Sequence, residues 1–455
     1  MRHISLIGNS KKVRRNRTFY AFGAILLRLT APTWIISMFL IFLLTGCHAG
    51  QPGGSAASDI SGNTAEISAD IRVATTLIES MAAPTDTGSL TVTEEMAETG
   101  IQNPGSLYRL MNVMERAAHG EDITIAYIGG SITDGSNASP KDASCYAALS
   151  TKWWEDTFPD AKINYINAGI GATDSYLGVH RLQDDVLVYE PDLVITEFSV
   201  NDYRSWNKET YESLLRAILL SDSEPAVIAL LLGTEQDYNY ATEHAQAAFK
   251  LNISTINYAA VLSEGMKDGT LSWEDVGGSD GVHPTNSGHA LIAHLLTCFY
   301  CDVLSGINTA DDSEYVVTED TLTKSRYENA DLLYASDISP AAMDGFAQTD
   351  IPSALSHTDG WATTTGGTIS FEITSREAGI VFYQTTDGKS GQYDVYVDGV
   401  CVTTIDADYS GGWGSCCDYV ECYKNDLSES HLIELKPSED STGDYFAVCG
   451  VCVGY

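Results

Sequence analysis

The sequence predicts an α/β domain built on a mainly parallel sheet, followed by an all-β sandwich. Three observations lead there. From Asp122 to about residue 305, continuous apolar runs of strand length alternate with amphipathic segments of helix length, the pattern of strands covered on both faces by crossover helices. From about residue 325, short stretches alternate polar and apolar residues with period two between glycine, Asp-Gly or Ser-Gly turns, as in a sandwich. With 455 residues, 44% of them hydrophobic and 19% charged, the chain is long enough for both domains and too apolar to be disordered throughout.

Residues 1–46 have the make-up of a secretory signal. They hold seven of the 25 basic residues and no acid; "KKVRRNR" (Lys11 to Arg17) and Arg28 precede an uncharged apolar run from Leu29 to Gly46. The run ends Leu44-Thr45-Gly46-Cys47, which resembles the lipobox of bacterial lipoproteins. That resemblance implies lipidation of Cys47 and a tether to a bacterial membrane. An uncleaved anchor is the alternative, because the run reaches the roughly 18 residues needed to span. Either way the rest of the chain is expected outside. Residues 47–104, rich in Gly, Ala, Ser, Thr and acids, read as a flexible linker.

The α/β domain is expected over 105–305. A helix across "LYRLMNVMERAAHG" opens it, with Leu107, Leu110, Met111 and Met114 on one face. The strands are "ITIAYIGG", "KINYINAG", "DLVITEFSV", "PAVIALLLG" and a fifth near "KLNISTIN". The helices between them are "CYAALSTKWWEDTF", "YLGVHRLQDDVLVY", "ETYESLLRAILL" and "TEHAQAAFK", and "NSGHALIAHLLTCFY" closes the set. A linker over 306–324 leads to the β-domain at 325–455. Its strands are "GTISFEIT", "GIVFYQT", "GQYDVYVDG", "HLIELKP" and "DYFAVCGVCV".

Net charge and cysteines narrow the function. With 62 acidic residues against 25 basic ones, the net charge is −37, a surface that repels nucleic acid and anionic lipid headgroups. Nucleic-acid binding is excluded on that ground. Ten cysteines in an exported chain raise the prospect of disulfides, and six crowd the last 55 residues, with their pairing unreadable from sequence. "CFYC" and "CGVC" have metal-ligand spacing without a histidine pair nearby, so no metal site is expected.

Four places in the α/β domain carry chemistry. "GGSITDG" puts Ser131 where a strand turns into a helix. "NAGIGATDS" supplies Gly169 and Gly171 after a strand, "EFSVND" ends another at Asn201-Asp202, and "DGVHPTNSGH" brings Asp280 and His283 to the start of the last helix. Three of the four lie at C-terminal strand ends, the edge where open α/β sheets bind ligands. A serine hydroxyl needs an imidazole to take its proton. The imidazole needs a carboxylate to hold its tautomer, and Asp280 lies three positions before His283. Oxyanion donors are at hand in the N–H groups of Ser131 and Gly171 and the Asn201 amide.

These blocks resemble the SGNH hydrolases, the GDSL-type esterases named for Ser, Gly, Asn and His in separate motifs. The matches are Ser131 in "GGSIT", Gly171 (or Gly169) in "NAGIGAT", Asn201 in "SVND", and His283 with Asp280 in "DGVHP", covering about 105–305 in the family's order. The resemblance implies a flavodoxin-like three-layer α/β/α domain. It implies a catalytic set Ser131, His283 and Asp280, an oxyanion hole of Ser131, Gly171 and Asn201, and no cofactor or metal. Gly-Gly-Ser stands where many members have Gly-Asp-Ser, so any role of that aspartate is absent. "LGVHRLQDDVL" with "PDLVITEFSVND" looks most like secreted bacterial members acting on carbohydrate esters. The expected activity is hydrolysis of short acyl, chiefly O-acetyl, esters on an oligo- or polysaccharide. The rivals are a lipase or lysophospholipase and a catalytically silent carbohydrate-binding protein.

Other residues are assigned plainer roles. His180, His244, His289 and His294 lack a partner pattern and read as structural, Trp153 and Trp154 as core. Asp134 and Asp202 are candidates for shaping the pocket. Glu197, inside an apolar strand, needs a partner, and Arg181 is the one that suggests itself. Trp361, Trp413, Tyr393, Tyr396 and Tyr409 are either a sugar-stacking platform or sandwich core.

Overall fold

The computed structural model describes residues 93–306 and 313–455. The signal-like run and Cys47 lie outside the described residues. Described structure begins within the stretch expected to be linker: α1 (Glu94–Gly100) and β1 (Ile101–Asn103) belong to the α/β domain. Thr93 caps the helix by accepting from the Met96 N–H, and β1 pairs antiparallel with the edge of the sheet. Three residues are too few for period-two alternation to show.

The sheet runs β1-β6-β5-β4-β2-β3, parallel except for β1. Its strands are β2 (Ile123–Gly129), β3 (Ile163–Gly169), β4 (Leu193–Glu197), β5 (Ala226–Leu231) and β6 (Ser254–Asn257), all within the stretches read from sequence. Leaving β1 aside, this is the flavodoxin-like strand order, with its switch point at β2, between β3 and β4. β4 and β5 are buried at every position, which is why they read as unbroken apolar runs. Odd and even residues serve opposite layers. Ile125, Tyr127, Leu193 and Ile195 face one core with α2 (Tyr108–Ala118), α3 (Tyr146–Thr157) and Trp153 and Trp154. Ala126, Ile128 and Val194 face another, packed by α4 (Ser175–His180), α5 (Asn207–Leu219) and α6 (Ala241–Lys250). The segment expected as one helix over "YLGVHRLQDDVLVY" breaks after α4 into a short helical turn and a 3₁₀ turn. α7 (Tyr258–Asp268) has no counterpart among the expected helices. The closing helix, α8 (Asn286–Gly306), is long and apolar enough to cross a membrane by composition, but 72% of that stretch is buried inside the fold. It is a core helix.

Of the stretch read as a linker after it, the residues from Thr318 onward are pinned along one face of α5. Arg216 donates to the Thr318 carbonyl at 2.7 Å and to Glu328 at 2.6 Å. Glu212 accepts the N–H groups of Leu322 and Thr323, and Glu209 pairs with Arg326.

The β-domain strands are β7 (Ala330–Leu333), β8 (Ala342–Asp344), β9 (Ala347–Asp350), β10 (Asp359–Thr363), β11 (Thr368–Gln384), β12 (Gln392–Val397), β13 (Val400–Asp406), β14 (Cys416–Pro437) and β15 (Phe446–Gly454). They form one antiparallel sheet, β13-β12-β14-β11-β15-β10-β9, with β7 on β15 and β8 on β11. "GTISFEIT" and "GIVFYQT" are the two ends of the single strand β11, joined through irregular pairing at Ser375–Gly379. The sheet folds over itself. Tyr393 on β12 and Phe446 on β15 stack at 4.0 Å, although three strand spacings of about 4.8 Å would separate their strands in a flat sheet. That fold-over makes the sandwich core.

Two expectations change here. All nine described cysteines are free thiols. Cys417 and Cys449 come to 3.6 Å between sulfurs, but they reach over β11 from its two neighbouring strands. That sulfur–sulfur separation is well beyond a bonded pair. The aromatic set also divides: Trp361 and Tyr393 are core, while Trp413 is 68% exposed with Tyr409 edge-on to it at 6.5 Å.

The domains meet along a continuous core. Val381, Cys417, Tyr419, Ala447 and Cys452 of the β-domain join the layer formed by Tyr176, Leu177, Tyr211 and Leu215. At its centre His180 and Glu377, both with fully buried side chains, pair at 2.6 Å.

Candidate active site

The two glycines after β2 are fixed by crowding. A side chain at position 129 would meet Thr133 Oγ1 at 2.2 Å and the Glu197 carbonyl at 2.4 Å. One at position 130 would strike the Asn201 side chain at 2.3 Å. With both bare, the chain turns sharply off the strand into a helical turn over 131–134 and leaves Ser131 partly exposed at the end of β2. The Asp134 N–H closes that turn on the Gly130 carbonyl at 3.0 Å.

His283 arrives on a closed loop. Gly278 N–H donates to the His283 carbonyl, Thr285 N–H to the Val276 carbonyl, and Trp273 Nε1 to the Gly278 carbonyl, each at 2.8 Å. Asp280 Oδ1 accepts the N–H groups of Val282 and His283 at 2.9 Å. Its Oδ2 lies 2.8 Å from His283 Nδ1, and His283 Nε2 lies 2.8 Å from Ser131 Oγ. Partial burial acts to raise the Asp280 carboxyl, but those two N–H groups and the imidazole outweigh it and hold it at about 2. With an ionised carboxylate on Nδ1, that nitrogen carries the proton and Nε2 is free to accept one from the serine. Asn137, which the sequence reading passed over, reaches the same loop, its Nδ2 3.4 Å from Asp280 Oδ2 and from the His283 carbonyl.

The glycines after β3 have different tasks. A side chain at 169 would overlap the Asp134 backbone nitrogen at 2.1 Å, so Gly169 lets the Ser131 turn pack on β3. A side chain at 171 would meet only the Ser131 Cβ, at 3.8 Å. It is Gly171 that faces the serine. Asn201 sits on a turn closed by its own N–H on the Phe198 carbonyl, with its side chain against Gly130. Buried Asp202 anchors that turn, accepting the Ser175 N–H at 2.8 Å and lying 2.7 Å from His244 Nε2. Burial drives His244 down to about 3, so its ring is neutral and structural. His289 is also structural, between the Ser136 carbonyl and the Tyr146 N–H. Asp134 is taken up by Lys141 at 2.5 Å.

Arg181 is not the partner of Glu197. It binds Asp185 at 2.6 Å and the carbonyls of Ala168 and Gly129. Glu197 instead accepts from Thr133 Oγ1 at 3.1 Å, and burial pushes its carboxyl up to about 7. The β-domain reaches the rim of the site. Tyr419 donates to Asp174, three residues past Gly171, at 2.7 Å, and its ring lies 4.4 Å from the Arg204 guanidinium. Among the described residues no cluster of His, Cys, Asp or Glu has the make-up of a metal site.

Residues 127–291 match the model of the GDSL-like lipase/acylhydrolase family. A solved two-domain esterase active on acetylated mannans, co-crystallised with mannopentaose, is 30% identical, with a TM-score of 0.71 over 79% of this chain and 97% of its own. A second structure described as a two-domain esterase active on acetylated mannans is 31% identical with the same TM-score, over 79% of this chain and 98% of its own. An acetylxylan esterase of Geobacillus stearothermophilus is 26% identical over 203 residues, 37% of this chain and 90% of the relative.

Proposed function

This chain belongs to the GDSL-like lipase/acylhydrolase family and is a serine esterase; we propose that it removes O-acetyl groups from an oligo- or polysaccharide outside the cell, through an acyl-enzyme on Ser131. The observation that carries the mechanism is the relay from Ser131 Oγ through His283 to Asp280, with both hydrogen-bond distances at 2.8 Å. His283 Nε2 takes the hydroxyl proton as Oγ attacks the acyl carbon. The sugar oxygen leaves with that proton. Water, deprotonated by the same nitrogen, then releases the acid and restores Ser131.

The oxyanion of each tetrahedral intermediate is held by the N–H groups of Ser131 and Gly171 and the Asn201 amide, each worth about 3 kcal/mol in the transition state. Asp280 keeps the proton on Nδ1. No step calls for a cofactor. Carbohydrate as substrate is supported by the relatives described as active on acetylated mannans, which are similar across both domains. Lipidation of Cys47 would place the enzyme on the outer face of a bacterial membrane.

The test is hydrolysis of p-nitrophenyl acetate, butyrate and octanoate by the full chain and a Ser131→Ala variant, followed by acetate release from acetylated mannan and xylan. Acetate turnover that needs Ser131, with a steep fall at longer chains, supports the reading. Preference for octanoate would replace it with a lipase. Loss of none of the activity in the variant would remove Ser131 from the mechanism.

A further inference from the structure

Of the buried acids that the catalytic proposal does not use, one lies directly against the site. Glu197 is the last residue of β4, fully buried and paired across the sheet with Gly129, directly beneath the turn that presents Ser131. A lone carboxyl buried at this depth costs several kcal/mol unless its surroundings recover that cost, so its place needs a reason.

Its neighbours supply one. On one side Thr133, two residues past the serine, donates its hydroxyl hydrogen to Glu197 Oε2 at 3.1 Å; the same hydroxyl therefore accepts from Tyr146, 2.8 Å away. The other oxygen, Oε1, has no hydrogen-bond partner, and the chain runs on from Glu197 at the end of β4 directly into the turn that carries Asn201. Glu197 thus joins the two turns that flank the oxyanion site: its backbone leads into the Asn201 turn, and its carboxyl is bonded to Thr133 of the Ser131 turn.

We propose that Glu197 is a positioning residue of the esterase site, holding the Ser131 turn and the Asn201 turn at a fixed spacing. The proposal rests on the assignment of Ser131 and Asn201 above. Its effect falls on the transition state, because the donors contributed by the two turns act on the developing oxyanion more than on the bound ester. Misplacing such groups by a fraction of an ångström lowers the rate without weakening ground-state binding.

Glu197→Gln is the primary variant, equal in shape but with an amide donor in place of one acceptor oxygen. On p-nitrophenyl acetate, kcat is expected to fall about 10- to 100-fold with KM within twofold of the parent. Thr133→Val removes the hydroxyl that bonds Glu197 and should lower kcat severalfold, while Thr133→Ser restores it. A Glu197→Gln enzyme with kcat within twofold of the parent overturns the proposal, as does a loss carried by KM. Should Glu197→Gln fail to fold by circular dichroism, the Thr133 pair decides: equal kcat in the Val and Ser variants also overturns it. Ser131→Ala, assayed alongside, separates this from failure of the mechanism itself. If that variant keeps full activity, the mechanism fails first.

Discussion

At the scale of single residues, the site depends on where side chains are absent as much as on where they are present. Gly130→Ala drives a methyl group into Asn201. We expect loss of most activity and destabilisation of about 1–3 kcal/mol from that overpacking, read by kinetics and a thermal melt. Gly171→Ala meets only the Ser131 Cβ at van der Waals distance. It should fold with a melting temperature close to the parent's, and the contrast between the two variants checks the geometry. Asp280→Asn keeps the size but withdraws the charge that holds the Nδ1 proton. By analogy with the serine-protease triad, kcat should fall about 10²–10⁴-fold. Because the Asp280 carboxyl is held at about 2, below its unfolded value near 4, it stays ionised in the folded enzyme until pH falls through about 2. An acid limb in kcat/KM above pH 4 therefore belongs to another group, and the Asp280→Asn profile should retain it. Ser131, Gly171, Asn201, Asp280 and His283 were legible because each sits in a short motif whose chemistry is local. Glu197 was visible as an oddity only. Its partner, Thr133, is contributed by a different loop, and no spacing rule marked it over Arg181.

At the scale of elements, the five parallel strands and most helices were legible because full burial writes a continuous apolar run and an amphipathic stripe into the sequence. The failures have physical causes. β11 and β14, of 17 and 22 residues, are long strands whose alternation changes phase midway, so β11 reads as two short strands and only the "HLIELKP" end of β14 reads as a strand at all. β1 is too short to alternate, and α7 follows β6 without a linking loop. The most consequential small element is α4, whose N-cap Asp174 accepts the N–H groups of Tyr176 and Leu177 as well as Asn207 and Tyr419. Asp174→Ala should cost about 1–2 kcal/mol as a lost cap, with a further loss because the Tyr419 hydroxyl is left buried without its acceptor. Tyr419→Phe should show only part of that loss in a chemical denaturation series.

At the scale of the whole molecule, the change in texture near residue 325 revealed two domains, but nothing in either half announced their shared core. Its polar centre is pH-sensitive. Both ring nitrogens of His180 face acceptors, Nδ1 the Tyr176 carbonyl at 2.7 Å and Nε2 Glu377 at 2.6 Å, so the ring is an imidazolium. Burial opposes that charge, and Cys452 and Glu377 outweigh it and hold the ring well above the ordinary histidine range. The stabilisation is complete below the unfolded value near 6.5 and is lost as pH rises through the folded one. Glu377→Gln should lower the melting temperature at pH 6, consistent with a loss of roughly 3–5 kcal/mol for a broken buried pair. Calorimetry at pH 9 should show a smaller gap from the parent.

The shared core also bears on ancestry. An accessory module joined by a loose tether can be exchanged between genes, because each part keeps its own interior. Here recombination within 306–324 would strip an apolar wall from both products, so a newly acquired partner would have to match that wall from the outset. Lineages carrying this arrangement should pass on the two halves together, with changes at Tyr176 or His180 answered by changes at Tyr419 or Glu377.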